Sequence, residues 1–195
     1  MRALLPILLL LPLSAAAQPA KAMPLFDGFK TFCVDTGARL PAIEAAMKKT
    51  GAKLTHPLAV MTSPFQLSTE IWEIDASGRR LTIAAGSEMD PASKSFPERD
   101  FDVCTVMLSG NDAAGITALR KWIRIAPTSV TGSARSVIVE HFTWRDSGKG
   151  PAAVPKNSAD YVAAEAKGEI WSLDLIRNRS IATVQLRHLL KVKMP

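Results

Sequence analysis

Cysteine is scarce: the chain of 195 residues holds two, Cys33 and Cys104. They are not spaced as Cys-x-x-Cys, so no thioredoxin-like redox motif is present. Three histidines (His56, His141, His188) lie far apart, with no Cys or carboxylate at metal-site spacing and no His-Glu-x-x-His. No metal centre is therefore expected. The segment Thr131-Gly132-Ser133-Ala134-Arg135 lacks the closing glycine of a Gly-x-Ser-x-Gly elbow, and no Ser-x-x-Lys pair occurs. Gly148-Lys149-Gly150-Pro151-Ala152-Ala153 fits a Gly-x-Gly-x-x-Ala string. Pro151 and a loop context are wrong for a dinucleotide fingerprint, so no cofactor is expected. The sequon Asn178-Arg179-Ser180 counts only in a eukaryotic secretory host.

Long apolar runs are equally rare. The one present, Ala3 to Leu13, follows Arg2 and precedes Ser14-Ala15-Ala16-Ala17. It is shorter than the roughly 20 residues a spanning helix needs, and small residues at 15 and 17 suit signal peptidase. Residues 1–17 read as a signal peptide cleaved near Ala17, 18–25 as a short leader, and 26–195 as one domain. Such a chain is exported to the periplasm or secreted, with no transmembrane segment.

Export gives the two cysteines a meaning. Oxidising compartments favour a disulfide between Cys33 and Cys104, a structural staple closing a long loop. Loop-closure entropy would credit it with about 4 kcal/mol. Two reduced, buried cysteines are the alternative.

Without Arg2 the formal net charge falls from +6 to +5, which is mildly basic. Basic residues come in pairs (Lys48-Lys49, Arg79-Arg80, Arg120-Lys121) except near the C-terminus. There Arg177, Arg179, Arg187, Lys191 and Lys193 form a strip with no acid. Its field could hold an anionic envelope surface weakly through Arg187, Lys191 and Lys193. A solvated strand face is the blander reading. Nucleic acid is not an expected partner, because no aromatics interleave with the basic residues as a stacking surface requires.

Hydrophobic spacing predicts the elements. Phe26, Phe29 and Cys33 recur at helical spacing up to Gly37. A second helix follows from Leu40, with Pro41 in its first turn, Leu40, Ile43 and Met47 on one face, and Gly51 beyond its end. Strands are predicted over 68–75, 80–85 and 101–108. Ser109 with Asp112 resembles a capping box opening a helix through Ile116, Leu119 and Ile123. Further strands are expected over 137–144, 169–176 and 181–192, with an irregular connection over 146–157 and a short helix over 159–167. The class is α+β: an antiparallel sheet with helices packed on one face, in the order α-βββ-α-βββ. Glu70-Ile71-Trp72-Glu73-Ile74-Asp75 echoes Glu169-Ile170-Trp171-Ser172-Leu173-Asp174. Related halves or two hairpins built by the same rules would both explain it.

Glu140 and His141 are the sharpest catalytic candidates. As strand neighbours they point to opposite faces, so each needs a partner from another strand. Glu140 shares the face of Ile138, Phe142 and Trp144, where an unpaired carboxylate is costly. It is either a site residue or the partner of an Arg at a sheet edge. His188 shares a face with Val184, Leu186 and Leu190, and reads as a core histidine hydrogen-bonded to backbone. Trp72, Trp144 and Trp171 are strand aromatics, core or ligand-facing, and the 146–157 loop could cover such a face.

Phe29-Lys30-Thr31-Phe32-Cys33, then Thr36-Gly37, an amphipathic helix ending at Gly51 and a second Cys on a central strand resemble a group of uncharacterised exported proteobacterial proteins. Many of that group continue as Gly-Trp where this chain has Gly51-Ala52. The resemblance implies export and the disulfide, and nothing catalytic. The sequence thus describes a non-catalytic module binding an unknown protein or small-molecule ligand. The alternative is a hydrolase whose site is assembled from scattered residues such as Glu140, His141 and Asp102.

Overall fold

Nine strands alternating apolar and polar residues pair into one antiparallel sheet. The computed structural model describes residues 25–56, 66–76, 79–90, 98–133, 137–146, 150–155 and 158–193. The expected signal peptide and most of the leader lie outside them. In chain order the elements are α1 (Leu25–Phe29), α2 (Leu40–Thr50), β1 (Lys53–His56), β2 (Gln66–Ala76), β3 (Arg79–Asp90) and β4 (Glu98–Ser109). Then come α3 (Ala113–Ile123), β5 (Ser129–Gly132), β6 (Ile138–Asp146), β7 (Pro151–Ala153), α4 (Ala159–Ala166), β8 (Ile170–Arg177) and β9 (Ile181–Lys193). The sheet runs β1-β2-β3-β4-β9-β8-β6-β5, and β7 pairs with the far end of β6. The strands before α3 form one side and those after it the other, meeting where β4 pairs with β9.

That topology bears on the internal echo. Its first copy lies in β2, second from one edge, and its second copy in β8, third from the other. The copies occupy non-equivalent strands, as two hairpins built by the same rules would.

The period of two places Leu81, Ile83, Cys104, Val106, Phe142, Leu173, Val184 and Leu186 on one face. Phe29, Phe32, Ile43, Met47, Ile116, Leu119 and Ile123 pack on it, forming one continuous core. A wide π-type turn, Lys30–Val34, continues α1 and carries Cys33 into this core. Cys33 is disulfide-bonded to Cys104, with Cα atoms 5.4 Å apart and both side chains buried. The bond staples the helical layer to the middle of the sheet.

Three expectations are corrected. The helix after β4 opens later than the Ser109 pattern implied. Asp112 is its N-cap, accepting from Gly115 N at 3.0 Å and, through its other oxygen, from Leu25 N at 2.8 Å. Ser109 stays in β4, where its hydroxyl accepts from Arg80 N. The expected α-βββ-α-βββ order also gains strands, because β1, β5 and β7 are short pieces whose period is too brief to read. The 146–157 connection accordingly contains β7, while 147–149 and 156–157 lie outside the described residues.

The third correction concerns the helices, which do not all share one face. Ala164 of α4 packs on Ile170 and Leu189, whose positions alternate with those of the main core. The alternation of β9 holds through Leu189, and a bulge follows: Phe101 pairs with Leu189 but Asp100 with Lys191, leaving Leu190 extra. Leu190 is therefore exposed rather than sharing a core face with His188, and Leu189 is buried.

Candidate functional site

The face turned away from the main core carries a cavity of about 310 Å³ roofed by α4. Phe101, Ile170 and Leu189 make its apolar wall, with Tyr161 of α4 beside them. Polar groups line the rest: Thr128, Ser129, His141, Thr143, Ser172, Arg99, Glu165 and Arg187. The roof is held by Arg99 of β4, whose Nη2 lies 2.6 Å from Glu165 Oε1 on α4. Ser158 caps the helix N-terminus through Tyr161 N. At its other end Gly168 has φ +69, and a Cβ there would lie 2.8 Å from Leu190 O, so the chain turns into β8 only as glycine.

The cavity's second cation is paired as well. Arg187 Nε lies 3.0 Å from Glu88 Oε2. Burial pushes the Glu88 carboxyl up, the Arg187 charge opposes this, and Asp90 and Asp174 reinforce it. The Tyr161 phenol is raised by burial and by neighbouring Glu165.

His141 is the centre of a short polar line. Its Nδ1 lies 2.7 Å from Asp174 Oδ1, directly opposite on β8, and its Nε2 lies 3.1 Å from Thr143 Oγ1. An ionised Asp174 can only accept, so Nδ1 carries the proton. In the neutral imidazole Nε2 is then the acceptor and the Thr143 hydroxyl the donor. Ser172 stands opposite Thr143 on the same face. Neither Asp174 nor Thr143 stood out in the sequence. The available signal was His141-x-Thr143 on one strand and Ser172-x-Asp174 on another, which becomes a cluster only once the β6–β8 register is known.

Glu140, by contrast, is a structural clamp on the core face. Arg120 of α3 donates to it through Nε at 3.1 Å and through Nη2, and Arg177 of β8 donates at 3.0 Å. Burial alone would raise its carboxyl. The hydrogen bonds and charges of both arginines outweigh that and hold it below the ordinary value. Glu140 thus pairs with two arginines, one on a helix and one on the interior strand β8, rather than with one at an edge strand.

Asp102 also lies on the core side, opposite His188, with two strands between β4 and β6. Burial raises its carboxyl against the lowering charge of Arg39. Glu140, His141 and Asp102 are thus not brought together. His188 stacks on Trp171 with ring centroids 3.9 Å apart, and its Nε2 lies 3.2 Å from Gly168 O. Burial keeps this imidazole below its ordinary value, with the Gly168 bond opposing and Arg39 reinforcing the shift. The side chain of His56 lies outside the described residues.

A second cavity, also about 310 Å³, opens at the rim of the main core between Trp122, Trp144, Trp171, Val34, Leu186 and Pro151. Edge-to-face contacts link Phe29 to Trp122 and Trp122 to Trp144. These tryptophans are core residues first: Trp144 is buried, Trp171 half-buried, and Trp72 belongs to the same core.

The basic strip is partly neutralised, since Arg177 pairs with Glu140 and Arg187 with Glu88. The side chains of Lys191 and Lys193 lie outside the described residues. Among the described residues, no three His, Cys, Asp or Glu side chains converge as a metal site, and no helix is long and apolar enough to cross a membrane.

No protein-family model matches this chain, and neither a curated protein nor a solved structure does.

Proposed function

We propose that this is an exported binding module that takes a small amphipathic ligand in the cavity beneath α4. The observation that carries the reading is the composition of that cavity. A wall of Phe101, Ile170 and Leu189 faces hydroxyls and an imidazole, a mix suited to a ligand with an apolar body and a hydrogen-bonding head. Its volume lies at the small end of the roughly 300–1,000 Å³ usual for ligand sites. Each cation lining it is matched by a carboxylate, Arg99 by Glu165 and Arg187 by Glu88, so a neutral ligand suits it better than a multiply charged one. The disulfide and the N-terminal apolar run together favour the periplasm or cell exterior as the place of action.

Titration with 1-hexanol, followed by amide chemical shifts, tests the site. Saturable shifts should cluster at 99–101, 141–143, 170–172 and 187–189. Shifts confined to Trp122, Trp144 and Trp171 would move the site to the tryptophan cavity, and none at all would end the reading.

A hydrolase is the second reading. The line Asp174–His141–Thr143 favours it, a different set from Glu140, His141 and Asp102.

A further inference from the structure

We infer that Thr143 is a hydroxyl nucleophile and that the cavity's occupant is a short-chain carboxylic ester. The inference rests on the cavity beneath α4 being the ligand site. Three observations converge on it. Asp174 fixes His141 with Nδ1 protonated, so Nε2 is free to take a proton from the Thr143 hydroxyl 3.1 Å away. Both His141 and Thr143 line the cavity, whose apolar wall of Phe101, Ile170 and Leu189 can hold an acyl chain. Ser172 stands opposite Thr143 across the strand pair and in the same lining, and its hydroxyl is the donor proposed for the tetrahedral oxyanion.

The chemistry balances without an outside reagent except water. Thr143 Oγ attacks the ester carbonyl carbon as its proton passes to His141 Nε2. The oxyanion collapses, the carbon–alkoxy bond breaks, and the alkoxide leaves with the proton from Nε2. Water, deprotonated by the same nitrogen, then hydrolyses the acyl-Thr143 to a carboxylic acid and the free hydroxyl. The His141 side chain is 36% exposed, so water reaches the imidazole. One hydroxyl is a sparse oxyanion site, since a single donor contributes roughly 10²–10³ in rate. That favours esters, whose alkoxide leaving groups are good, over amides. Asp174 is a positioning residue.

The test is covalent labelling of the full-length mature protein with a butyl fluorophosphonate, followed by peptide mass mapping. Thr143 should form the phosphorus–oxygen bond with loss of hydrogen fluoride, giving one adduct on its peptide. Labelling should vanish in Thr143→Val, persist in Thr143→Ser, and fall about 10²-fold or more in His141→Gln. In Asp174→Asn the maximal labelling rate should fall steeply while the half-saturating fluorophosphonate concentration stays at the wild-type value. A merely structural role would move that concentration as well. Each variant is read only with an unchanged circular dichroism spectrum, and Thr143→Ser serves where Thr143→Val fails to fold.

No adduct at Thr143, in protein whose amides still respond to 1-hexanol, would overturn the nucleophile and leave the binding site standing. Absence of both responses would overturn both. Equal labelling of His141→Gln and wild type would also remove the proposal.

Discussion

His141 on β6 and Asp174 on β8 face each other across one strand pair, Nδ1 to Oδ1 at 2.7 Å, on the sheet face opposite the main core. The pair is half open to solvent, with side chains 36% and 19% exposed, so its role in holding the fold is small. Replacing Asp174 by Ala should cost about 1 kcal/mol, the usual net value of such a hydrogen bond. Urea denaturation checks this. A loss several times larger would mean that the pair is a structural keystone rather than part of a site.

Glu140 should behave in the opposite way. Glu140→Gln leaves Arg120 and Arg177 without their anion. Breaking a fully buried pair costs roughly 3–5 kcal/mol, and the partial exposure of both arginines reduces this to about 2 kcal/mol. The loss should depend on pH. The native carboxyl lies below its ordinary value, so its stabilisation is complete above the unfolded-state value near 4.3 and disappears as pH falls through the lowered native one. The melting-temperature gap between wild type and Glu140→Gln should therefore be widest at neutral pH and close on acidification. A gap that widens with acid would contradict the clamp.

How far these roles were legible depended on whether neighbours in space were neighbours in sequence. Local signals carried over: Pro41 and Gly51 bound α2, and Ile116, Leu119 and Ile123 face the core from α3. The cysteine pair was also readable, because the expectation of export left two lone cysteines few alternatives. Three features depended on register instead. The bulge at Leu190 shifts the register of β9 and leaves that side chain exposed, yet nothing in Arg187-His188-Leu189-Leu190 announces it. Glu140 and His141 were visible as candidates, but their charged partners lie on β8 and α3, 20 or more residues distant. Asp174 was hidden in a strand segment that echoes one in β2.

Gly168 is expected to control the roof of the cavity. Gly168→Ala forces a side chain into a left-handed backbone conformation, at about 1–2 kcal/mol, and against the Leu190 carbonyl. Hydrogen exchange should show faster opening of 159–166, while β3 and β4 keep wild-type protection. Uniform loss across the sheet would mean that α4 and the core unfold as one unit.

Removing the disulfide should act on the whole molecule. Cys33→Ala with Cys104→Ala opens a loop of sequence separation 71 and should lower stability by about 4 kcal/mol by loop entropy, or less where the unfolded chain retains structure. Urea midpoints with and without reductant measure it. An unchanged midpoint would show that packing of Phe29, Phe32 and Met47 alone fixes the helical layer to the sheet.

The most direct test of the account is the native mass of protein purified from its own envelope, compared with a Ser172→Trp variant of equal melting temperature. The indole would fill the cavity beneath α4. The account predicts a small companion mass on the wild-type chain that is absent from the variant. A companion retained equally by both would contradict a ligand site beneath α4.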